Sequence, residues 1–173
     1  MQDDELLDTV DENDNIIGTM TRVESKNLGK RYRVVRIVVR DEDGNLLIQK
    51  RVATKDSYPN CWDNAAAGHV DSGEGYDTAA LRELEEEIGV TGFNLTEVAY
   101  FYSEVISPKG QKMNRFTKIY SAVVPHDYSF VCQESEVSEV KWVNLTRIKE
   151  LADDNSEITD GLKQTYERYL AIR

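Results

Sequence analysis

Apolar residues recur along the chain with two periods, one belonging to strands and one to helices. Tyr32–Val39 (YRVVRIVV) is β-branched and aromatic, and Asn45–Lys50 follows it after the turn Asp41-Glu42-Asp43-Gly44. The two segments predict a hairpin closed by an Asp/Gly turn. Leu6–Val10 and Ile16–Met20 flank Asp11–Asn15 and predict an N-terminal hairpin within residues 5–22. Leu95–Ile106 and Asn114–Val124 flank Ser107-Pro108-Lys109-Gly110 as a third, and Val137–Val143 reads as a last strand. Helical spacing predicts Asp77–Ile88, capped by Asp77 and stopped at Gly89, and a short helix at Thr146–Ala152. A longer helix is predicted over Ser156–Ile172, with Leu162, Tyr166, Tyr169 and Leu170 on one stripe. Strands interleaved with helices indicate an α/β domain with a mixed sheet, a single domain over 1–173. No internal repeat is present.

The helix at 77–88 carries the densest chemistry. Projected at about 100° per residue, Ala80, Leu81, Leu84 and Ile88 share one arc that faces the core. Glu83, Glu86 and Glu87 share an adjacent arc, and Glu85 points away. Three like charges at i, i+3 and i+4 repel, and they lie in the half of the helix where the dipole disfavours negative charge. A divalent cation reverses the sign of both effects, and oxygen-only ligands suit Mg²⁺ or Mn²⁺ better than zinc. The competing interpretation is a solvated acidic face, which the helix alone does not separate from a metal site.

Composition narrows the field. The chain has 173 residues, 40% hydrophobic and 31% charged, the balance of an ordinary globular protein. Thirty-two acidic against 21 basic residues give a net charge of −11, which opposes non-specific binding to nucleic acid or an anionic membrane. A small anionic substrate is compatible if cations are gathered locally. The start, MQDDELLDTV, lacks the basic and apolar regions of a secretory signal, and no apolar run approaches a membrane span. Cys61 and Cys132 read as packing residues in a reducing compartment, so the expected location is cytoplasmic.

The segment Gly68-His69-Val70-Asp71-Ser72-Gly73-Glu74 through Arg82-Glu83-Leu84-Glu85-Glu86-Glu87-Ile88-Gly89-Val90 resembles the Nudix box. That signature is Gly, five residues, Glu, seven residues, Arg-Glu, an aliphatic residue, any residue, Glu-Glu, any residue, Gly and an aliphatic residue. All its fixed positions are met. The resemblance implies a Nudix fold, an α/β/α sandwich with a mixed sheet, and a Mg²⁺-dependent hydrolase of X-linked nucleoside diphosphate-type substrates. It also implies Glu83, Glu86 and Glu87 as metal ligands, completed by a backbone carbonyl near Gly68, with Arg82 and Glu74 as orienting groups.

Outside the box, Arg51, Lys55, Pro59, Trp62, Asn64 and Gly68-His69 are spaced as in isopentenyl-diphosphate isomerases and their hydrolase relatives. By that resemblance Arg51 and Lys55 contact the substrate diphosphate, and His69 matches a metal-binding His of the isomerases; without its companion ligands it is expected to line the site, with metal binding as the alternative. Isomerase activity itself is not expected, because the required Cys before Gly-His is Ala67, an expected metal-binding His is Tyr32, and the later Glu-x-Glu is missing around Lys112-Met113-Asn114. Many Nudix hydrolases place a further Glu before the last strand as base or ligand, and here Glu136 is chosen, with Glu134 next. The expected partner is a small diphosphate, with no nucleic acid and no membrane, in a monomer or homodimer. The rivals are isopentenyl-diphosphate isomerisation and a non-enzymatic nucleotide-binding regulator.

Overall fold

The computed structural model describes residues 5–172. The acidic start, Met1–Asp4, on which the reading of the N-terminus partly rests, lies outside the described residues, as does Arg173. In chain order the elements are β1 (Leu6–Val10), β2 (Ile16–Thr21), α1 (Arg22–Asn27), β3 (Arg31–Arg40), β4 (Leu46–Arg51), β5 (Trp62–Asp63) and β6 (Ala66–His69). Then follow α2 (Tyr76–Ile88), β7 (Thr96–Ile106), β8 (Lys112–Val123), β9 (Val137–Val143), α3 (Leu145–Asp154), α4 (Asp160–Arg168) and a 3₁₀ turn at Leu170–Ile172.

The sheet is built around β3. Along its whole length, Arg31 to Arg40, β3 pairs in parallel with β8, which pairs antiparallel with β7. Its other edge meets three strands in turn: β1 at Arg31, β6 over Val34–Ile37, and β4 at Val39 and Arg40. β4 then carries β5 and β9. Side chains alternate across a strand, so β3 serves two cores. Val35, Ile37 and Val39 pack with Ala79, Ala80, Leu84 and Ile88 of α2 on one face. Val38 packs with Ile148 and Leu151 of α3 and Leu162 of α4 on the other. This is the expected α/β/α sandwich with a mixed sheet. No helix among the described residues is long and apolar enough to cross a membrane.

Several local expectations are corrected. The helix at 76–88 starts before Asp77: Gly75 is its N-cap, without a side-chain cap, and Asp77 sits in the first turn accepting from the Tyr120 hydroxyl. An acidic first turn still suits the dipole. Leu81, assigned to the core arc, is 50% exposed. The buried stripe of α2 runs through Ala79, Ala80, Glu83, Leu84, Glu87 and Ile88 and is centred on Glu87, so Leu81 and Glu86 fall on its opposite edges, each about 110° away. The expected helix over 156–172 is broken, because Ile158 bridges to Trp62 and the Thr159 side chain caps a new start by accepting from Leu162 N–H at 3.0 Å. Tyr166 is only partly buried there, while Leu162, Tyr169 and Leu170 are buried.

Helix α1 and the short strands β5 and β6 were not anticipated. A capping box starts α1: Thr21 Oγ1 accepts from Glu24 N–H at 3.3 Å, and Glu24 Oε2 accepts from Thr21 N–H at 3.0 Å.

Candidate active site

Alignment of β6 beside β3 sets Gly68 opposite Val35, and α2 lies across β6. That crossing is close. A Cβ on Gly68 would stand 2.0 Å from Glu83 Oε1, so only glycine leaves room for the carboxylate. A Gly68→Ala variant is therefore expected to fold, since the obstructed atoms end a flexible side chain, yet to displace Glu83. Metal affinity, read by titration calorimetry, should fall about 10- to 100-fold. Undiminished affinity would show that Glu83 need not occupy this position.

The three box carboxylates sit in different environments. Glu87 is buried, and its Oε2 accepts from the Ala67 N–H at 2.9 Å and the Gln49 amide at 2.8 Å. Burial pushes its carboxyl up to about 8, reinforced by the charge of Glu83. Burial likewise pushes Glu83 up to about 7, against the opposing pull of Arg82. Glu86 has half its side chain in solvent and, among the described residues, pairs only with Arg82, at 3.4 Å.

Arg82 ties this face to the loop before it. Its Nε and Nη2 donate to the two oxygens of Glu74 at 3.0 and 2.8 Å, its Nη1 donates to Glu83 at 2.7 Å, and its Nη2 also donates to the His69 carbonyl at 3.0 Å. The Glu74 fork is the main reason the guanidinium is held even more firmly protonated than usual. Glu74 does not reach the cavity; it acts through Arg82 as a positioning residue.

Glu83, Glu86 and Glu87 line one wall of a cavity of about 310 Å³, and Arg22, Lys26, Arg51 and Lys55 also line it. Seven of the chain's 21 basic residues border this space, alongside seven carboxylates. In a chain of net charge −11, the cavity is therefore the place where cations are concentrated. Arg51 donates to the Ser57 carbonyl at 3.2 Å and pairs with Asp63 at 3.3 Å, which fastens the 52–61 loop. Lys55 forms a close ion pair with Glu136, and burial pulls its ammonium down to about 8.

Glu136 is brought here by the segment after β8. Val131 N–H donates to the Ile88 carbonyl and Gln133 N–H to that of Glu87. Gly89 makes this crossing possible: its φ is +69°, and a Cβ there would meet Val131 at 2.9 Å. Glu134 does not line the cavity.

His69 lines the cavity partly buried, with its ring 5.5 Å from that of Tyr32 and Nδ1 3.5 Å from Glu5. Burial and the nearby Arg22, Lys26, Arg115 and Lys55 keep it neutral, well below the usual histidine range. That cationic setting does not suit a metal-binding histidine.

The donor set of Glu83, Glu86 and Glu87 fits a hard divalent cation: two buried carboxylates held at the same wall gain most from a positive charge between them. Among the described residues no three acidic, His or Cys side chains yet converge on one point, because Gln49, Ala67 and Arg82 hold the carboxylates apart. Holding an ion requires these side chains to turn.

Of the residues expected from the sequence, Glu83, Glu86, Glu87, Gly68, Arg82, Arg51, Lys55, His69 and Glu136 line one cavity. Arg22 and Lys26 were missed, one turn apart on α1. The Thr21-Arg22-Val23-Glu24 capping pattern is the signal that could have revealed their helix.

The NUDIX domain model matches residues 30–162. The chain is 35% identical to an uncharacterized Nudix hydrolase of Streptomyces coelicolor, over 98% of this chain and 91% of that one. It is 34% identical to a Photorhabdus laumondii protein named isopentenyl-diphosphate Delta-isomerase 2, over 90% and 86% of the respective chains. The crystal structure of DR0079 from Deinococcus radiodurans has a TM-score of 0.80 at 25% identity, covering 94% of this chain and 98% of that one. With the box geometry and these likenesses together, the chain belongs to the NUDIX domain family and is a Nudix hydrolase, a pyrophosphohydrolase of small molecules.

Proposed function

We propose that the chain hydrolyses the diphosphate of an X-linked, nucleoside diphosphate-type substrate with Mg²⁺, or Mn²⁺ in its place, held by Glu83, Glu86, Glu87 and the Gly68 backbone. The observation that carries this reading is one cavity lined both by two buried carboxylates and by Arg22, Lys26, Arg51 and Lys55. When bound, the ion neutralises phosphate charge and lowers the pKa of water.

The protein's own groups do the rest. Arg51 and Lys55 hold the phosphate oxygens, with Arg22 and Lys26 beside them. Lys55 cannot serve both Glu136 and a phosphate at full strength, so substrate binding releases the Glu136 carboxylate. Glu136 then takes the proton of the attacking water as its oxygen bonds to phosphorus and the bridging P–O bond breaks. Arg82, forked onto Glu74, keeps the α2 carboxylates in register.

Replacing Arg51 by Gln is expected to raise KM about 10- to 100-fold, the value of a lost charge-assisted hydrogen bond. Steady-state kinetics on any responding substrate checks this, and an unchanged KM would remove Arg51 from the phosphate site.

Isomerisation is disfavoured by Ala67, whose methyl group cannot carry a proton. Conversion of isopentenyl diphosphate to its isomer by the purified chain would reverse that conclusion. Hydrolysis itself is tested by a panel of nucleoside phosphates, dinucleoside polyphosphates, sugar nucleotides and coenzyme diphosphates with Mg²⁺ and Mn²⁺. Release of phosphate or nucleotide names the substrate. Tight binding without turnover across the panel would favour a regulatory module.

A further inference from the structure

The cavity has a second end, on the face of β3 away from α2. Tyr32, Val34 and Arg36 alternate with Val35 and Ile37 along β3 and so point to the α4 side. Tyr32 and Arg115 are register partners on the parallel pair β3 and β8. Both line the cavity, as does Arg36.

Among the described residues, three features of this end lack a matching partner. Tyr32 is 1% exposed, and its buried hydroxyl has no hydrogen-bond partner. Arg115 pairs through Nη2 with Asp160, but its buried Nε has none. Arg36 is 2% exposed, and its guanidinium donates only to neutral acceptors, the Gly161 carbonyl at 3.2 Å and Gln164 Oε1 at 2.9 Å. No carboxylate lies within ion-pair distance of Arg36 among the described residues. Buried polar groups are nearly always partnered, and a buried charge without a counter-ion is rarer still.

All three groups are hydrogen-bond donors, and the two guanidiniums share Asp160, since the nearby Asp63 is already paired with Arg51. What they lack is therefore an acceptor carrying negative charge. We propose that Arg36, Arg115 and Tyr32 form a second oxyanion subsite that binds a phosphate on group X, so that the preferred substrate bears a diphosphate at one end and a phosphate at the other. This rests on the hydrolase reading above and specifies its X. A hydrocarbon X would leave the Tyr32 hydroxyl and Arg115 Nε unpaired, and a neutral polar X would leave the Arg36 charge uncompensated.

The test compares kcat/KM for three substrates, 5-phosphoribosyl 1-diphosphate, cytidine diphosphate and isopentenyl diphosphate, in wild type, Tyr32→Phe and Arg36→Met. Wild type is expected to favour the phosphoribosyl compound over isopentenyl diphosphate by about 100-fold or more, with cytidine diphosphate between. Tyr32→Phe removes an unpartnered hydroxyl, so its thermal stability should not fall, while that preference shrinks about tenfold or more. Arg36→Met should shrink it further; if that variant fails to fold, Tyr32→Phe decides alone. An equal preference in wild type and Tyr32→Phe, or a wild-type preference for the other two substrates, overturns the subsite and leaves the hydrolase reading standing. No turnover of any of the three, while another diphosphate is hydrolysed, likewise overturns only the subsite. No turnover of any diphosphate overturns both.

Discussion

Replacing Glu87 by Gln is expected to abolish most activity and, in the same protein, to raise the stability of the metal-free fold. The two effects have one cause. Glu87 is buried at the centre of the inward stripe of α2, and burial pushes its carboxyl up to about 8. A charge in that position is unfavourable until a cation reaches it. Glutamine has the same shape and keeps an oxygen to accept from Ala67 and Gln49, which now hold Oε2 at 2.9 and 2.8 Å. It cannot supply the charge. Losing a ligand should lower kcat about 10³-fold, corresponding to about 4 kcal/mol of transition-state stabilisation. Melting of the metal-free protein at pH 8 should rise by several degrees, since a gain of about 2 kcal/mol shifts a domain of this size by about 5 °C. A residue serving only the fold would lose stability on substitution. If the variant melts lower and keeps its activity, Glu87 is structural.

The second large effect is a pH dependence that reverses with metal. Glu83 and Glu87 are raised in the folded state, to about 7 and about 8, from 4.5. The folded protein holds these protons more tightly than the unfolded chain, so their contribution is full below pH 4.5 and is lost as pH rises through 7 and 8. His69 acts oppositely. Its folded pKa is depressed below 6.5, so the stability it contributes is lost only on acidification below that value. Lys55, pulled down to about 8 from 10.5, gives up stability as pH falls from 10.5 towards 8 and is level below. Between pH 6.5 and 8 the two glutamates therefore dominate, and Glu5, also raised from 4.5 chiefly by burial, acts in the same direction. In excess chelator the melting temperature should drop over that interval by about 5 °C, from a loss of about 2 kcal/mol. Millimolar Mg²⁺ should remove the drop, because the ion binds the ionised pair and adds stability in proportion to its saturation. A metal-free melting temperature that stays flat or climbs from pH 6.5 to 8 would show that the two carboxylates are already neutralised within the protein.

The parts of this site written as a fixed spacing were legible in the chain. Gly68, Glu74, Arg82, Glu83, Glu86 and Glu87 lie on one loop and one helix, so their relations are local and survive without knowledge of the fold. The hairpins around Asp11–Asn15 and Ser107–Gly110 were legible for the same reason. The helical projection of α2 misplaced Leu81, because apolarity alone located the buried stripe. In the fold that stripe is centred on a carboxylate, which no hydrophobicity pattern favours; the misfit itself marks function. Arg22 and Lys26 stayed hidden because their six-residue helix is too short for an apolar period, although its capping box is written in the sequence. The donor cluster of Tyr32, Arg36 and Arg115 could not be read at all. Tyr32 and Arg115 become neighbours only through the parallel pairing of β3 with β8, and parallel register has no local signature. Their unmet hydrogen bonds are visible only once every other partner is placed.

Metal-dependent hydrolysis at α2 is tested most cleanly at Glu86, the box carboxylate least entangled with the fold. Half its side chain is in solvent and, among the described residues, its polar contact is Arg82 at 3.4 Å, so Glu86→Gln should melt where wild type does. The measurement is kcat for a responding diphosphate at saturating Mg²⁺ in the two proteins. Glu86→Gln is expected to lose about 10³-fold with no change in melting temperature. Turnover equal to wild type would contradict it, and the metal-dependent hydrolytic site would have to lie elsewhere in the cavity.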